Sequence, residues 1–226
     1  MLPQTKEQFA KYFDHTLLDS LATAVDIKQL CDQVLQYGFY SACVQPRWVS
    51  LCADILQSAD AKVVSVAGFP FGTDSPKIKA LQAEEVIMAG ADEVDMVADL
   101  AAVVEGDIQR LQDDMRAVLS VCRSMKPQVT LKVIIEAAAL SKDQIRFACQ
   151  TAQTVGVDYV KSSTGFHTAG GACLDDVKLM IESAPNCQVK ASGGSKTLEQ
   201  ARAFIEAGVS RIGASASVQI VEQFDP

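Results

Sequence analysis

Three lysines of this chain stand in positions that lysine seldom occupies. Lys132, Lys161 and Lys190 each lie inside a short run of apolar and β-branched residues that is typical of a buried strand. Lysine is rarely buried in full unless it is paired or takes part in chemistry. An amine beside another cation and away from water has a lowered pKa, and the neutral amine can attack a carbonyl carbon to form an iminium. The three positions therefore predict Schiff-base chemistry, such as cleavage of a carbon–carbon bond.

A strand position alone does not make a lysine catalytic. A single strand lysine is usually a salt-bridge partner, or its long stem carries the ammonium to water. Three such lysines together with Asp95 in another predicted strand favour chemistry. Either Lys161 or Lys190 can be the nucleophile, because each can lower the pKa of the other, and Asp95 would orient the second amine. Lys132 has an alternative role, since Glu136 or Asp95 can neutralise it.

The elements that hold these residues alternate along the whole chain. Eight short apolar segments predict strands, and each is followed by a segment with the apolar periodicity of a helix. The predicted strands span residues 12–18, 39–44, 62–67, 92–98, 129–136, 157–162, 188–191 and 210–213. The predicted helices span residues 23–37, 47–57, 75–88, 108–125, 142–155, 174–182, 198–207 and 215–223.

This alternation fits either a closed (β/α)8 barrel or an open doubly wound sheet. The predicted strands are apolar throughout, as expected when other elements cover both faces of a sheet. Eight units in 226 residues match the smaller barrels, and no G-x-G-x-x-G motif opens the first helix. No stretch has the composition of a linker. We therefore predict a single-domain (β/α)8 TIM barrel over residues 1–226.

In such a barrel the carboxyl ends of the strands form the mouth of the active site. Two glycine-containing segments there, residues 191–194 (ASGG) and 211–215 (RIGAS), lie at the ends of the seventh and eighth predicted strands. That is the usual phosphate position in this fold, and glycines let backbone N–H groups approach the oxygens. A Gly-Gly pair alone is usually only a turn, but two loops in these positions predict a phosphate site. The predicted substrate-binding residues are Thr16, Lys132, Ser162, Thr164, Gly165, Gly193, Gly194, Gly213 and Ser215.

Composition excludes several classes of function. The net charge is −8, aromatic residues make up 6% and no basic run occurs, so a nucleic-acid surface is not expected. No apolar stretch is long enough for a membrane span, and the first residues do not resemble a signal peptide. The chain has seven cysteines without a C-x-x-C pair, which predicts a reduced, cytoplasmic protein. Its two histidines have no partners at metal-ligand spacing, so no metal is predicted.

Six segments resemble the deoxyribose-phosphate aldolase family of class I aldolases. They are residues 14–18 (DHTLL), 66–72 (VAGFPFG), 93–97 (EVDMV), 131–136 (LKVIIE), 160–166 (VKSSTGF) and 189–194 (VKASGG). The resemblance implies a (β/α)8 barrel that cleaves 2-deoxyribose 5-phosphate to acetaldehyde and glyceraldehyde 3-phosphate without a metal or organic cofactor. It also implies that Lys161 forms the Schiff base, that Lys190 is the second lysine and that Asp95 is the acid of the proton relay.

Several positions depart from the pattern of that family, among them Asp99, Ala137, Ser162, Lys196 and Ala216. These departures leave open an aldolase of the same mechanism that acts on a different aldehyde. A non-catalytic barrel that binds a sugar phosphate is a second alternative, although binding does not require a buried amine. A phosphosugar isomerase with a carboxylate base is a third. A homodimer is compatible with the sequence, but no pattern locates its interface.

Overall fold

The computed structural model describes residues 2–125 and 127–225. Eight parallel strands close into a barrel in which neighbours in sequence are neighbours in space and the last strand pairs with the first. The strands are β1 Phe13–Leu17, β2 Ser41–Val44, β3 Lys62–Ala67, β4 Glu93–Val97, β5 Thr130–Ile134, β6 Tyr159–Lys161, β7 Gln188–Ser192 and β8 Arg211–Ala214. The predicted (β/α)8 architecture is confirmed.

Helices surround the barrel and connect successive strands. They are α1 Lys6–Ala10, α2 Ala24–Tyr37, α3 Val49–Leu56, α4 Pro76–Met88, α5 Leu100–Glu105, α6 Ile108–Ser124, α7 Lys142–Val155, α8 Leu174–Ser183, α9 Leu198–Ala207 and α10 Ser217–Glu222. Periodicity did not predict α1 and α5, because five and six residues are too few to display an apolar stripe. None of the helices in the described part of the chain is long and apolar enough to cross a membrane.

Local sequence signals explain where the longer helices begin and end. Thr23 begins α2 in a reciprocal capping box with Asp26, and Ser141 does the same for α7 with Gln144. Both helices end at a left-handed residue, Gly38 for α2 with φ 68° and a glycine in the same role for α7. These caps fix the short connections, so each following strand returns to the barrel.

The alternation along each strand separates two different interiors. Side chains such as Val94 and Met96 of β4 belong to the apolar core between the barrel and its helices. Their neighbours on the same strand, Glu93 and Asp95, are buried in the barrel itself, where they meet basic side chains. Branched apolar residues dominate most barrel interiors of this fold. Here a large part of that space holds charge, and the register of the strands brings the charges together.

Candidate active site

The carboxylate of Asp95 is the centre to which all three strand lysines converge. Its Oδ2 atom lies 2.8 Å from Nζ of Lys161 and 2.8 Å from Nζ of Lys190, and its Oδ1 atom lies 2.9 Å from Nζ of Lys132. The four side chains come from β4, β5, β6 and β7 and are at most 3% exposed. The tertiary structure thus brings the predicted catalytic residues into one contact group.

A second carboxylate, Asp14 of β1, lies on the other side of Lys190. Its Oδ2 atom pairs with Nζ of Lys190, while its Oδ1 atom accepts hydrogen bonds from Ser41 Oγ at 2.6 Å and from Arg211 Nη1 at 2.7 Å. The sequence reasoning named Arg211 only as the first residue of a predicted phosphate segment and missed its contact with Asp14, although Arg211 is a basic residue in an apolar strand like the three lysines. The same signal, a basic residue in an apolar strand, would have identified it.

Glu93 forms the third carboxylate of this interior. Its Oε2 atom lies 2.5 Å from Nζ of Lys132 and 3.6 Å from Nη1 of Arg211, and its Oε1 atom accepts a hydrogen bond from Tyr40 at 3.2 Å. Lys132 therefore contacts Glu93 as well as Asp95, while Glu136, the other expected partner, bonds elsewhere.

The barrel interior thus holds four basic side chains, Lys132, Lys161, Lys190 and Arg211, against three carboxylates. These charges balance when one basic group is neutral. The ammonium form of Lys161 is stabilised least among the three lysines, because Lys161 contacts one carboxylate whereas Lys132 and Lys190 contact two each.

The pKa shifts follow this division of contacts. Burial lowers the pKa of Lys161 and the charge of Lys190 lowers it further, so that together they outweigh the attraction of Asp95. Burial opposes protonation of Lys190 too, but Asp14 and Asp95 outweigh it and raise the pKa of that ammonium. Likewise Asp95 and Glu93 overcome burial and raise the pKa of Lys132. Lys161 is the amine that becomes neutral first.

A cavity of about 520 Å³ opens above this charged group at the carboxyl end of the barrel. Of the three strand lysines only Lys161 lines it. The other predicted residues that line the cavity are Thr16, Thr164, Gly165, Gly193, Gly194, Gly213 and Ser215. Asp95 and Lys190 lie behind Lys161 with no exposed surface.

Two residues predicted to bind substrate, Lys132 and Ser162, do not line this cavity. Lys132 is fully buried beneath Asp95. Ser162 joins two strands, since its hydroxyl donates to the carbonyl of Ser192 at 3.1 Å and accepts from the N–H of the same residue at 2.9 Å. A polar residue next to a catalytic candidate in sequence points to the opposite side of a strand, which explains the difference for Ser162.

The loops after β6 and β7 meet closely at one wall of the cavity. A Cβ atom on Gly171 would lie 1.5 Å from the carbonyl oxygen of Gly193, so only glycine fits there. Ala172 donates its N–H to the carbonyls of Ser192 and Gly193, each at 3.0 Å. This wall also contains Ser195 and Lys196, and the sequence reasoning assigned neither a role in binding.

The turn after β5 holds the loop that follows Lys161. Glu136 has a left-handed backbone with φ 54°, the only such residue besides glycine in the described part of the chain. Its carboxylate accepts a hydrogen bond from Thr164 Oγ1 at 2.6 Å and another from the Thr164 N–H at 3.2 Å. A strained backbone persists where surrounding contacts compensate it. These bonds hold Thr164 at the cavity wall.

Comparison with known proteins agrees with this geometry. The model of the DeoC/LacD family aldolases matches residues 8–219. The chain belongs to this aldolase family. A deoxyribose-phosphate aldolase from Geobacillus sp. (strain WCH70) is 46% identical over 218 residues, which are 96% of this chain and 96% of that protein. The expected family and the expected enzyme class, an aldolase, are therefore confirmed.

Solved structures of related aldolases share the fold along nearly the whole chain. A putative deoxyribose-phosphate aldolase from Coccidioides immitis superposes with a TM-score of 0.93 and 36% identity, covering 98% of this chain and 87% of that one. The tetrameric deoxyribose phosphate aldolase from Aeropyrum pernix gives a TM-score of 0.90 and 29% identity, covering 97% of this chain and 92% of that one.

Proposed function

We propose that this aldolase cleaves 2-deoxy-D-ribose 5-phosphate reversibly to D-glyceraldehyde 3-phosphate and acetaldehyde through a Schiff base on Lys161. The observation that carries the proposal is the position of Lys161. It is the one strand lysine at the surface of the cavity, and burial together with Lys190 lowers its pKa. A neutral amine at a cavity wall is the nucleophile that imine formation requires.

The reaction begins with attack of the Lys161 amine on the aldehyde carbon of the open-chain sugar. Loss of water gives an iminium, which draws electrons from the neighbouring carbon–carbon bond. A base removes the proton of the 3-hydroxyl, the C2–C3 bond breaks, and glyceraldehyde 3-phosphate leaves. Protonation of the enamine at C2 and hydrolysis then release acetaldehyde and restore Lys161. The iminium accepts the electrons of the broken bond, so this series of steps requires no metal or organic cofactor.

Asp95 and Lys190 are assigned to proton transfer. Oδ2 of Asp95 lies 2.8 Å from Nζ of Lys190 and 2.8 Å from Nζ of Lys161. Neither Asp95 nor Lys190 has exposed surface. We therefore assign removal of the 3-hydroxyl proton to a water molecule in the cavity. This water would exchange protons with Asp95 and Lys190 next to Lys161. Removal of the Lys190 charge would also raise the pKa of Lys161, because the repulsion that favours the neutral amine would be lost.

The upper wall of the cavity is assigned to the phosphate. Gly193, Gly194 and Ser215 lie there with Lys196, whose ammonium supplies the charge that a phosphate requires. Ser195 Oγ is buried and has no hydrogen-bond partner among the described residues, so its hydroxyl is available to donate a hydrogen bond to a ligand oxygen. Thr16, Thr164, Gly165 and Gly213 complete the wall toward Lys161 and would contact the sugar hydroxyls.

Trapping with borohydride tests the proposal. The protein is mixed with 2-deoxyribose 5-phosphate or acetaldehyde, reduced with borohydride and digested, and peptide masses locate the adduct. We expect a reduced two-carbon adduct on Lys161 with acetaldehyde and no adduct there in Lys161→Arg, which carries a permanent charge. An adduct on Lys190 or Lys132 would reassign the nucleophile. Trapping only with other aldehydes would favour an aldolase of the same mechanism and a different substrate.

We further propose that the protein acts in the cytoplasm as a homodimer. Seven free thiols, five of them buried, suit a reducing compartment. The outer face of α4 carries the exposed apolar residues Ile78, Leu81 and Met88, with exposed Lys77 in its first turn and exposed Glu85 in its last turn. An antiparallel pair of α4 helices about a two-fold axis would place Lys77 of each copy opposite Glu85 of the other and would cover the apolar residues. The tetrameric relative supports assembly but identifies no face.

A further inference from the structure

Glu93 does not line the cavity, but it contacts Lys132, which in turn contacts Asp95. It begins β4, two residues before Asp95, so both carboxylates face the barrel interior. Glu93 lines a separate space at the amino ends of the strands, whereas Lys161 lines the cavity at the opposite end. A substrate that fills the cavity therefore does not touch Glu93.

Contacts nevertheless connect the two ends of the barrel. Nζ of Lys132 lies 2.5 Å from Glu93 and 2.9 Å from Oδ1 of Asp95, and Oδ2 of Asp95 lies 2.8 Å from Lys161. Each of these side chains is at most 5% exposed, so water screens the interactions little. Glu93 neutralises Lys132 from below, which leaves the second oxygen of Asp95 for Lys161 and Lys190.

We propose that Glu93 is a positioning residue for the aldolase reaction, which controls how firmly Lys161 holds its proton both by its own negative charge and through Lys132 and Asp95. The proposal rests on the proposed role of Lys161. A residue at the amino end of the barrel would thus influence the protonation of the amine that reacts at the carboxyl end.

The sign of the effect follows from the charges around Lys161. The groups that face it within the barrel or on the cavity wall are Asp14, Asp19, Tyr40, Cys43, Glu93, Asp95, Lys132, Tyr159, His167, Lys190, Lys196 and Arg211. Glu93→Gln removes one negative charge from this set. Lys132 then depends on Asp95 alone and competes more strongly with Lys161 for it. Both changes favour the neutral amine, so the pH at which Lys161 becomes reactive falls.

The test measures the rate at which Lys161 is trapped with acetaldehyde and borohydride as a function of pH. Glu93→Gln is expected to move the midpoint of the profile down by about one pH unit. Tyr40→Phe is the matched control, because it removes a hydrogen bond to Glu93 without changing charge, and its midpoint should stay at the wild-type value. Lys132→Met should move the midpoint up, since it removes a positive charge.

The double variant Glu93→Gln with Lys132→Met separates charge from packing. It removes one charge of each sign, so its midpoint should return toward the wild-type value and lie below that of Lys132→Met alone. This comparison also holds if Glu93→Gln alone does not fold. An unchanged or raised midpoint in Glu93→Gln, or a midpoint of the double variant equal to that of Lys132→Met, would overturn the proposal.

A second readout keeps this inference apart from the proposed function. Acetylation of Lys161 by acetic anhydride, followed by peptide mass spectrometry at several pH values, reports its neutral fraction without any aldolase step. If acetaldehyde forms no adduct on the wild-type protein, the proposed function fails. The acetylation profiles of the variants still decide whether Glu93 controls the proton of Lys161.

Discussion

Lys132, Lys161 and Lys190 occupy similar sequence environments but differ in their contacts with carboxylates. Two carboxylates hold Lys132, two hold Lys190 and one holds Lys161. Because opposite charges favour the protonated form, this difference decides which amine loses its proton. The proposed nucleophile is thus distinguished from the other two lysines by neighbours from β1 and β4, which the sequence around β6 does not contain.

Lys196 offers a test at the scale of one residue. Lys196→Met should raise the KM for 2-deoxyribose 5-phosphate about tenfold, the effect of losing one charge-assisted contact of about 1.4 kcal/mol, with kcat little changed. Steady-state kinetics with the phosphorylated and unphosphorylated sugars measure it. Lys178→Met, at a charged position that does not line the cavity, is the control. An equal loss with both sugars would contradict a phosphate contact.

At the scale of elements, a buried ion pair attaches α4 and α6 to the end of β4. Lys79 of α4 is fully buried, and its Nζ lies 2.8 Å from Asp114 of α6 and 2.8 Å from the carbonyl oxygen of Val97. The Asp114 carboxylate also accepts the N–H of Asp99 at 2.9 Å. The pair therefore fixes the segment that follows Asp95. The sequence did not reveal this fourth buried lysine, because it lies in a helix whose other charged residues are exposed.

Breaking this pair should destabilise the barrel. Lys79→Met leaves an uncompensated buried carboxylate, and we expect the free energy of unfolding to fall by about 3–5 kcal/mol. Urea titration followed by circular dichroism measures the change. The double variant Lys79→Met with Asp114→Leu should recover much of the loss, since apolar side chains can replace a buried pair. Equal losses in the single and double variants would show that packing, not charge, matters there.

At the scale of the whole molecule, the closed barrel excludes water from a charged interior and leaves Lys161 as its contact with the cavity. The outer surface then decides assembly. Leu81→Asp with Met88→Asp on α4 should convert the proposed dimer to a monomer, because both charges would be buried against the second copy. Light scattering coupled to gel filtration measures the mass. Val25→Asp, at an exposed apolar position on α2, is the control. A wild-type monomer, or a dimer that survives the α4 changes, would exclude this interface.

The sequence by itself determined the alternation of strands and helices, the barrel and the position of its mouth. These follow from periodicity and caps, which act over a few residues. It also supplied Lys161, Lys190 and Asp95 as candidates, since a basic residue in an apolar strand is visible without a structure.

Only the tertiary structure decided what each candidate touches. It placed Ser162 between two strands and Lys132 beneath Asp95, and it added Glu93 and Arg211 to the charged interior. The physical reason is that the pKa of an amine depends on charges within a few ångströms, and here those charges come from strands far apart in the chain. Sequence proximity reports none of those distances, whereas closure of the barrel determines all of them.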